Sequence, residues 1–115
     1  MRYTLLRAEA VARDLDLIFD FLFEAALTFG EDPPAAFDRA AARIIAIEDA
    51  IEALAELPHQ GTRRDDLLPG LRQVTKGRAV FYFDVDDSTR SLTLLAVFYG
   101  GQDHHRHMLV RLLAP

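Results

Sequence analysis

The chain has 115 residues, half of them hydrophobic and 27% charged, with a formal net charge of −5 and no Cys. This is the composition of one ordinary globular domain, spanning residues 1–115 and large enough to bury a core; it excludes a disulfide framework, a thiolate metal site and a Cys nucleophile. A pI near 5.2 argues against a dedicated nucleic-acid binder, which carries a basic face and a high pI.

The charge is uneven along the chain. Residues 1–60 carry 5 Arg against 12 Asp and Glu, whereas residues 61–115 carry 8 Lys and Arg against 6 Asp. A short basic segment, Arg63, Arg64, Arg72, Lys76 and Arg78, follows the acidic half. The start Arg2 to Arg7 is charged within two residues and acidic residues follow at once, so no secretory leader is expected, and no apolar run approaches the roughly 20 residues that span a bilayer. A cytoplasmic protein with no membrane contact is expected.

In chain order, Tyr3–Leu6 is a short apolar segment expected to be a strand. From Glu9, the apolar residues Val11, Leu15, Ile18, Phe19, Leu22, Phe23 and Ala26 recur at helical spacing. Asp14, Asp16, Asp20 and Glu24 then fall on the solvent side. Gly30 and Pro33-Pro34 close this helix, and Asp32 followed by two prolines opens a second one. The second helix is expected to run to about Leu57, burying Phe37, Ala40, Ala41, Ile44, Ile47, Ile51, Leu54 and Ala55. Pro58-His59-Gln60-Gly61 stops it. Thr62–Leu68 reads as a polar loop and Pro69-Gly70 as a turn.

Three strands follow. Leu71–Thr75 turns at Lys76-Gly77 into Ala79–Val85, and Asp86–Ser91 turns into Leu92–Tyr99. The strands are rich in aromatic and β-branched residues. In the first central strand Phe81, Phe83 and Val85 share one face, with Val80 and Tyr82 on the other. In the second, strict alternation sets Leu94, Ala96 and Phe98 against Leu95, Val97 and Tyr99. Strands apolar on both sides lie at the centre of a sheet. After Gly100-Gly101, the spacing of Met108, Leu109, Leu112 and Leu113 predicts a short helix within Gln102–Leu113. The expected architecture is α+β: an N-terminal strand, an antiparallel helical hairpin packed on an antiparallel three-strand meander, and a short C-terminal helix. The hairpin covers one side of the sheet and leaves the other open to partner proteins.

Several features, in this order, resemble the RelE/ParE superfamily of toxins from type II toxin–antitoxin systems, the ParE (plasmid-stabilisation) branch in particular. They are the helix start AVARDLDLIFDFL, the segment Leu54 to Gly61 with Leu57-Pro58-His59-Gln60-Gly61, the Gly70-Leu71-Arg72 turn, the strand Val80-Phe81-Tyr82-Phe83, and Phe98-Tyr99-Gly100-Gly101-Gln102-Asp103-His104. The resemblance implies a toxin neutralised by a cognate ribbon–helix–helix, ParD-like antitoxin, touching operator DNA only through that complex. It leaves the target open between DNA gyrase, inhibited by protein–protein contact, and mRNA cut in the ribosome. A non-toxic relative that only binds an antitoxin is a third reading.

Metal-independent RNA cleavage needs a base, charge neutralisation at the phosphorane and a proton for the leaving oxygen. In this chain Arg72, Lys76 and Arg78 are the cations, with Tyr99 and His104 or His105 as proton-transfer groups. The chain has one Lys, and Arg63-Arg64 is offset by Asp65-Asp66, so dense cationic catalysis is not expected, and inhibition of gyrase by contact is the activity expected ahead of the other two readings. His104, His105 and His107 invite a metal, but Asp103 is poorly placed as a further ligand, and no metal or cofactor is expected. Contact with a target is expected from Arg72, Lys76, Arg78, Tyr99, Gln102, Asp103 and His104.

Overall fold

A computed structural model describes residues 2–100 and 104–113, with the side chains at 104–107 and 109 left out of account. The elements are β1 (Thr4–Arg7), α1 (Ala10–Thr28), α2 (Pro33–Leu54), β2 (Thr62–Arg63), β3 (Leu71–Lys76), β4 (Ala79–Asp86), β5 (Ser91–Tyr99) and α3 (His104–Leu113). The helical hairpin turns where the sequence says it should. Gly30 adopts φ +95°, a conformation that costs glycine little. Asp32 then caps α2, its carboxylate accepting from the Ala35 N–H at 2.9 Å.

The strands form one sheet in the order β1-β5-β4-β3-β2. β3, β4 and β5 are the expected antiparallel meander, and β1 adds to β5 in parallel. The polar stretch expected to be a loop supplies a two-residue edge strand, β2, antiparallel to β3. Such pairing carries no apolar signature: both residues are exposed, so hydrophobic pattern cannot reveal it. α2 ends at Leu54 rather than Leu57. In its stripe Phe37 is 54% exposed, with its ring edge-on to Phe19 of α1 at 5.3 Å, and the neighbouring Ala36 is completely buried.

The alternation expected along β5 does not hold. Tyr82 pairs with Ala96 but Phe83 pairs with Leu94, so Leu95 is an extra residue and the strand carries a β-bulge. The bulge changes which side chains share a face. Leu92, Leu94, Val97 and Tyr99 join Ala79, Phe81 and Phe83 under the hairpin, against Val11, Leu15, Ile18, Ile47, Ile51 and Leu54. Ala96 and Phe98 join Val80, Tyr82 and Leu71 on the opposite face, where Met108 and Leu112 of α3 and Leu67 cover them. The face expected to be open is therefore capped by α3 along these residues.

A bulge leaves backbone groups without ladder partners, and two charged side chains supply them. β1 ends at Arg7, opposite Leu94, so beyond that point β5 has no strand on its β1 side and pairs only with β4. There Asp14 of α1 accepts from the Val97 N–H at 3.0 Å, and Arg111 of α3 donates to the Leu95 carbonyl at 3.1 Å. The two side chains also pair with each other, Arg111 Nη1 lying 3.0 Å from Asp14 Oδ2 and Nη2 bonding the other carboxylate oxygen. Asp14, expected on the solvent side, is buried. Helical spacing alone put it there; its partner lies 97 residues away.

Removing one partner of a buried charge pair costs about 3–5 kcal/mol. Asp14→Ala should destabilise the fold by about that amount in urea denaturation, because it strands Arg111 and the Val97 N–H together. Asp16→Ala, at an exposed position two residues on, should stay within about 0.5 kcal/mol of the parent.

Candidate functional site

The register of the sheet decides which of the expected site residues meet. Lys76 pairs with Ala79, and Ala79 pairs with Tyr99, so Lys76 and Tyr99 lie in one row across the sheet. Arg78, in the β3–β4 turn, sets its guanidinium 5.5 Å from the centre of the Tyr99 ring and accepts the Gly100 N–H on its carbonyl at 2.9 Å. Phe21 of α1 approaches the same ring at 6.4 Å. Tyr99 is itself buried, at 6% exposure, so the cations at this end of the sheet are backed by an aromatic floor rather than by a free phenol.

Arg72 is elsewhere. It pairs with Arg63 on one side and Phe83 on the other, four residues along β3 from Lys76, which is about 13 Å at strand rise. Its guanidinium donates to the His59 carbonyl at 2.9 Å, closing the loop that follows α2. The basic segment is further divided by its own acids. Arg64 is paired with Asp66 and donates to Gln73 at 2.8 Å, and Arg63 is paired with Asp65. Gln102 and Asp103 lie outside the described residues, as do the side chains of His104, His105 and His107.

A second cluster joins residues that the sequence does not connect. Asp87, read as a turn residue, accepts on one oxygen from the Tyr3 hydroxyl and meets His59 Nε2, both at 2.7 Å. The Tyr3 and His59 rings stand edge to face at 5.8 Å. This clasp ties the start of β1, the loop after α2 and the β4–β5 turn, next to Arg72. Tyr3 and Asp87 are 84 positions apart, and no local pattern marks them as partners. The neighbouring Asp86 shapes the turn, accepting from the Ser88 N–H at 2.9 Å and the Ser88 hydroxyl at 2.6 Å.

Among the described residues no group of His, Asp and Glu is arranged to hold a metal ion, and no helix is long and apolar enough to cross a membrane. A shallow groove between β1, α1 and α2 is lined by Ala8, Val11, Leu15, Ile44, Arg7 and Glu48. Its Arg7 and Glu48 are bonded to each other at 3.1 and 2.7 Å, and Glu9 and Asp16 also line it.

The chain is similar to a chain of the chromosomal ParDE TA system from P. aeruginosa, at TM-score 0.63 and 20% identity, over 86% of this chain and 97% of that one. It is also similar to a chain of the toxin–antitoxin complex RelBE2 from Mycobacterium tuberculosis, at TM-score 0.53 and 20% identity, over 86% of this chain and 99% of that one. The chain has the RelE/ParE toxin fold. No family model and no curated protein matches the sequence. At this identity the RelE/ParE-like likeness rests on strand order and helix packing rather than on shared side chains.

The acid sensitivity of the clasp follows from its hydrogen bonds. The Tyr3 hydroxyl, then His59, hold the Asp87 carboxyl below its usual pKa; Ser88 and Thr89 do the same for Asp86, and the Gly70 N–H and Arg63 for Asp65. A carboxyl whose pKa is lower in the folded state stabilises above its unfolded value of about 4, and that contribution is lost as pH falls through the folded value. The gap in Tm between the parent and Asp87→Asn should therefore be present at pH 7 and close as pH is lowered through about 4 towards 3.

Proposed function

We propose that this chain is the toxin of a type II toxin–antitoxin system, neutralised by a ParD-like ribbon–helix–helix antitoxin. Its likeness over nearly whole chains to a component of a ParDE system carries the reading. A second toxin–antitoxin complex among the similar structures supports the same kind of partner. We propose further that it acts in the cytoplasm by binding DNA gyrase rather than by cutting RNA.

The distribution of cations supports contact over catalysis. Phosphodiester cleavage needs charge neutralisation and proton transfer at one phosphate. Arg72 is held by the His59 carbonyl a strand's length from Tyr99, and Tyr99 is buried beneath Arg78. What this end of the sheet offers is an exposed Lys76 and an Arg78 stacked on an aromatic floor. Arg and aromatic anchors of this kind dominate protein interfaces.

Supercoiling assays with the purified chain test the proposal. Gyrase should be inhibited at about micromolar toxin, and reversing the charges in Lys76→Glu with Arg78→Glu should weaken inhibition by at least about tenfold, given roughly 1–2 kcal/mol per interface anchor. The fold should survive, because both positions are exposed. Cuts at codon positions in translated mRNA, with gyrase unaffected, would give the chain to the ribosome-dependent endonuclease reading instead.

A further inference from the structure

The sheet ends in two edge strands, β1 and β2, and they are guarded differently. An exposed edge offers a row of unpaired N–H and C=O groups, which proteins blunt with short strands, charges, prolines or bulges. β2 is blunted: it has two residues, both exposed, and Arg63 is paired with Asp65. β1 is not. It has four residues, no proline, and an unbroken register with Ser91 to Leu94. Its flanking cations are drawn away onto α2, Arg2 to Glu52 and Glu56 and Arg7 to Glu48.

Hydrogen bonds fix which backbone groups of β1 face outward. The Thr4 N–H donates to the Arg90 carbonyl at 2.9 Å, and the Ala8 N–H to the Leu94 carbonyl at 2.8 Å. Successive residues of a strand alternate sides, so Leu5 and Arg7 turn their N–H and C=O away from β5. Tyr3, on the same alternation, gives its outward N–H to the Ala55 carbonyl at 2.9 Å. Among the described residues nothing meets the outward N–H and carbonyl of Leu5 and Arg7. Between them lies Leu6, which faces away from the hairpin core that Leu5 joins and is 48% exposed.

We infer that β1 pairs antiparallel with β1 of a second copy of this chain, about a two-fold axis at Leu6. In this register Leu5 stands opposite Arg7 of the second copy, the two exchange both N–H···O bonds, and symmetry repeats the exchange. Leu6 meets Leu6 of the second copy as a close, non-hydrogen-bonded pair, and each covers the other. A register centred on Leu5 sets Arg7 against Tyr3, whose N–H is already taken; one centred on Arg7 sets Leu5 against Glu9, beyond the strand. The edge is complementary to itself. Arg2, Arg7, Glu48, Glu52 and Glu56 are already paired within the chain, so a partner chosen by charge gains nothing here. A second copy supplies the backbone row and the apolar side chain together, in the commonest symmetry of protein assemblies. The inference goes beyond the proposed toxin function and holds whichever target the chain acts on.

Sedimentation of the full chain tests it. The parent should dimerise at about micromolar concentration or above, since a four-residue edge buries less than a standard interface. Leu6→Lys should weaken the dimer at least about tenfold, and so should Leu6→Glu, because each sets like charges opposite one another across the axis. An equimolar mixture of the two variants should restore a dimer. Phe29→Lys, at an 89% exposed position at the far end of α1, should leave the parent dimer unchanged. Amide hydrogen exchange reads the backbone: Leu5 and Arg7 should slow as concentration rises in the parent but not in Leu6→Lys. Thr4 and Ala8, bonded within the chain, should not depend on concentration. Circular dichroism checks that each variant is folded. A parent monomeric up to about millimolar, a dimer that Leu6→Lys leaves intact, or a mixture that stays monomeric would overturn the inference. So would Leu5 and Arg7 amides that slow only when another protein is added.

Discussion

Asp14 and Arg111 meet at the place where the sheet runs out of strand. β1 accompanies β5 only as far as Leu94, and the extra residue at Leu95 then breaks the ladder. A buried N–H or carbonyl left without a partner costs about 1–3 kcal/mol. The carboxylate from α1 and the guanidinium from α3 take over those groups and neutralise each other. Elements from both sides of the sheet are thereby locked to one point on β5. The packing of the hairpin on one face and of α3 on the other depends on that point, since the bulge decides which of Leu94 to Tyr99 point to which face.

The same arrangement separates the molecule into two ends of different character. The hairpin carries the acids, and beyond Arg39 its ion pairs are made with β1, where Arg2 and Arg7 reach Glu48, Glu52 and Glu56. These pairs are largely exposed and individually worth little, but they fix how β1 lies along α2. The cations of the second half are dispersed by the sheet register. Arg72 is used to hold the loop after α2, Arg63 and Arg64 are offset by local acids, and Lys76 and Arg78 remain together beside Tyr99. Among the described residues these cations do not converge on one point.

Phe21 links the two ends. Its ring approaches the Tyr99 ring that also carries the Arg78 guanidinium, so the acidic outer side of α1 and the cations at this end of the sheet meet at one aromatic pair.

Periodicity and turn chemistry by themselves determined most of the architecture. The helical repeats, the Asp32-Pro33-Pro34 start, Gly30 and the Lys76-Gly77 turn place the hairpin and the meander, because these signals act through nearest neighbours along the chain. The ordered motifs also pointed to the RelE/ParE fold. Only the tertiary structure decided the burial of Asp14, the extra residue at Leu95, the two-residue strand β2 and the clasp of Tyr3, His59 and Asp87. Each depends on groups far apart in sequence, and the polar residues involved look locally like solvent-facing ones. A bulge, moreover, changes the strand period by one residue without changing composition, so alternation read from the sequence goes out of phase where the site begins.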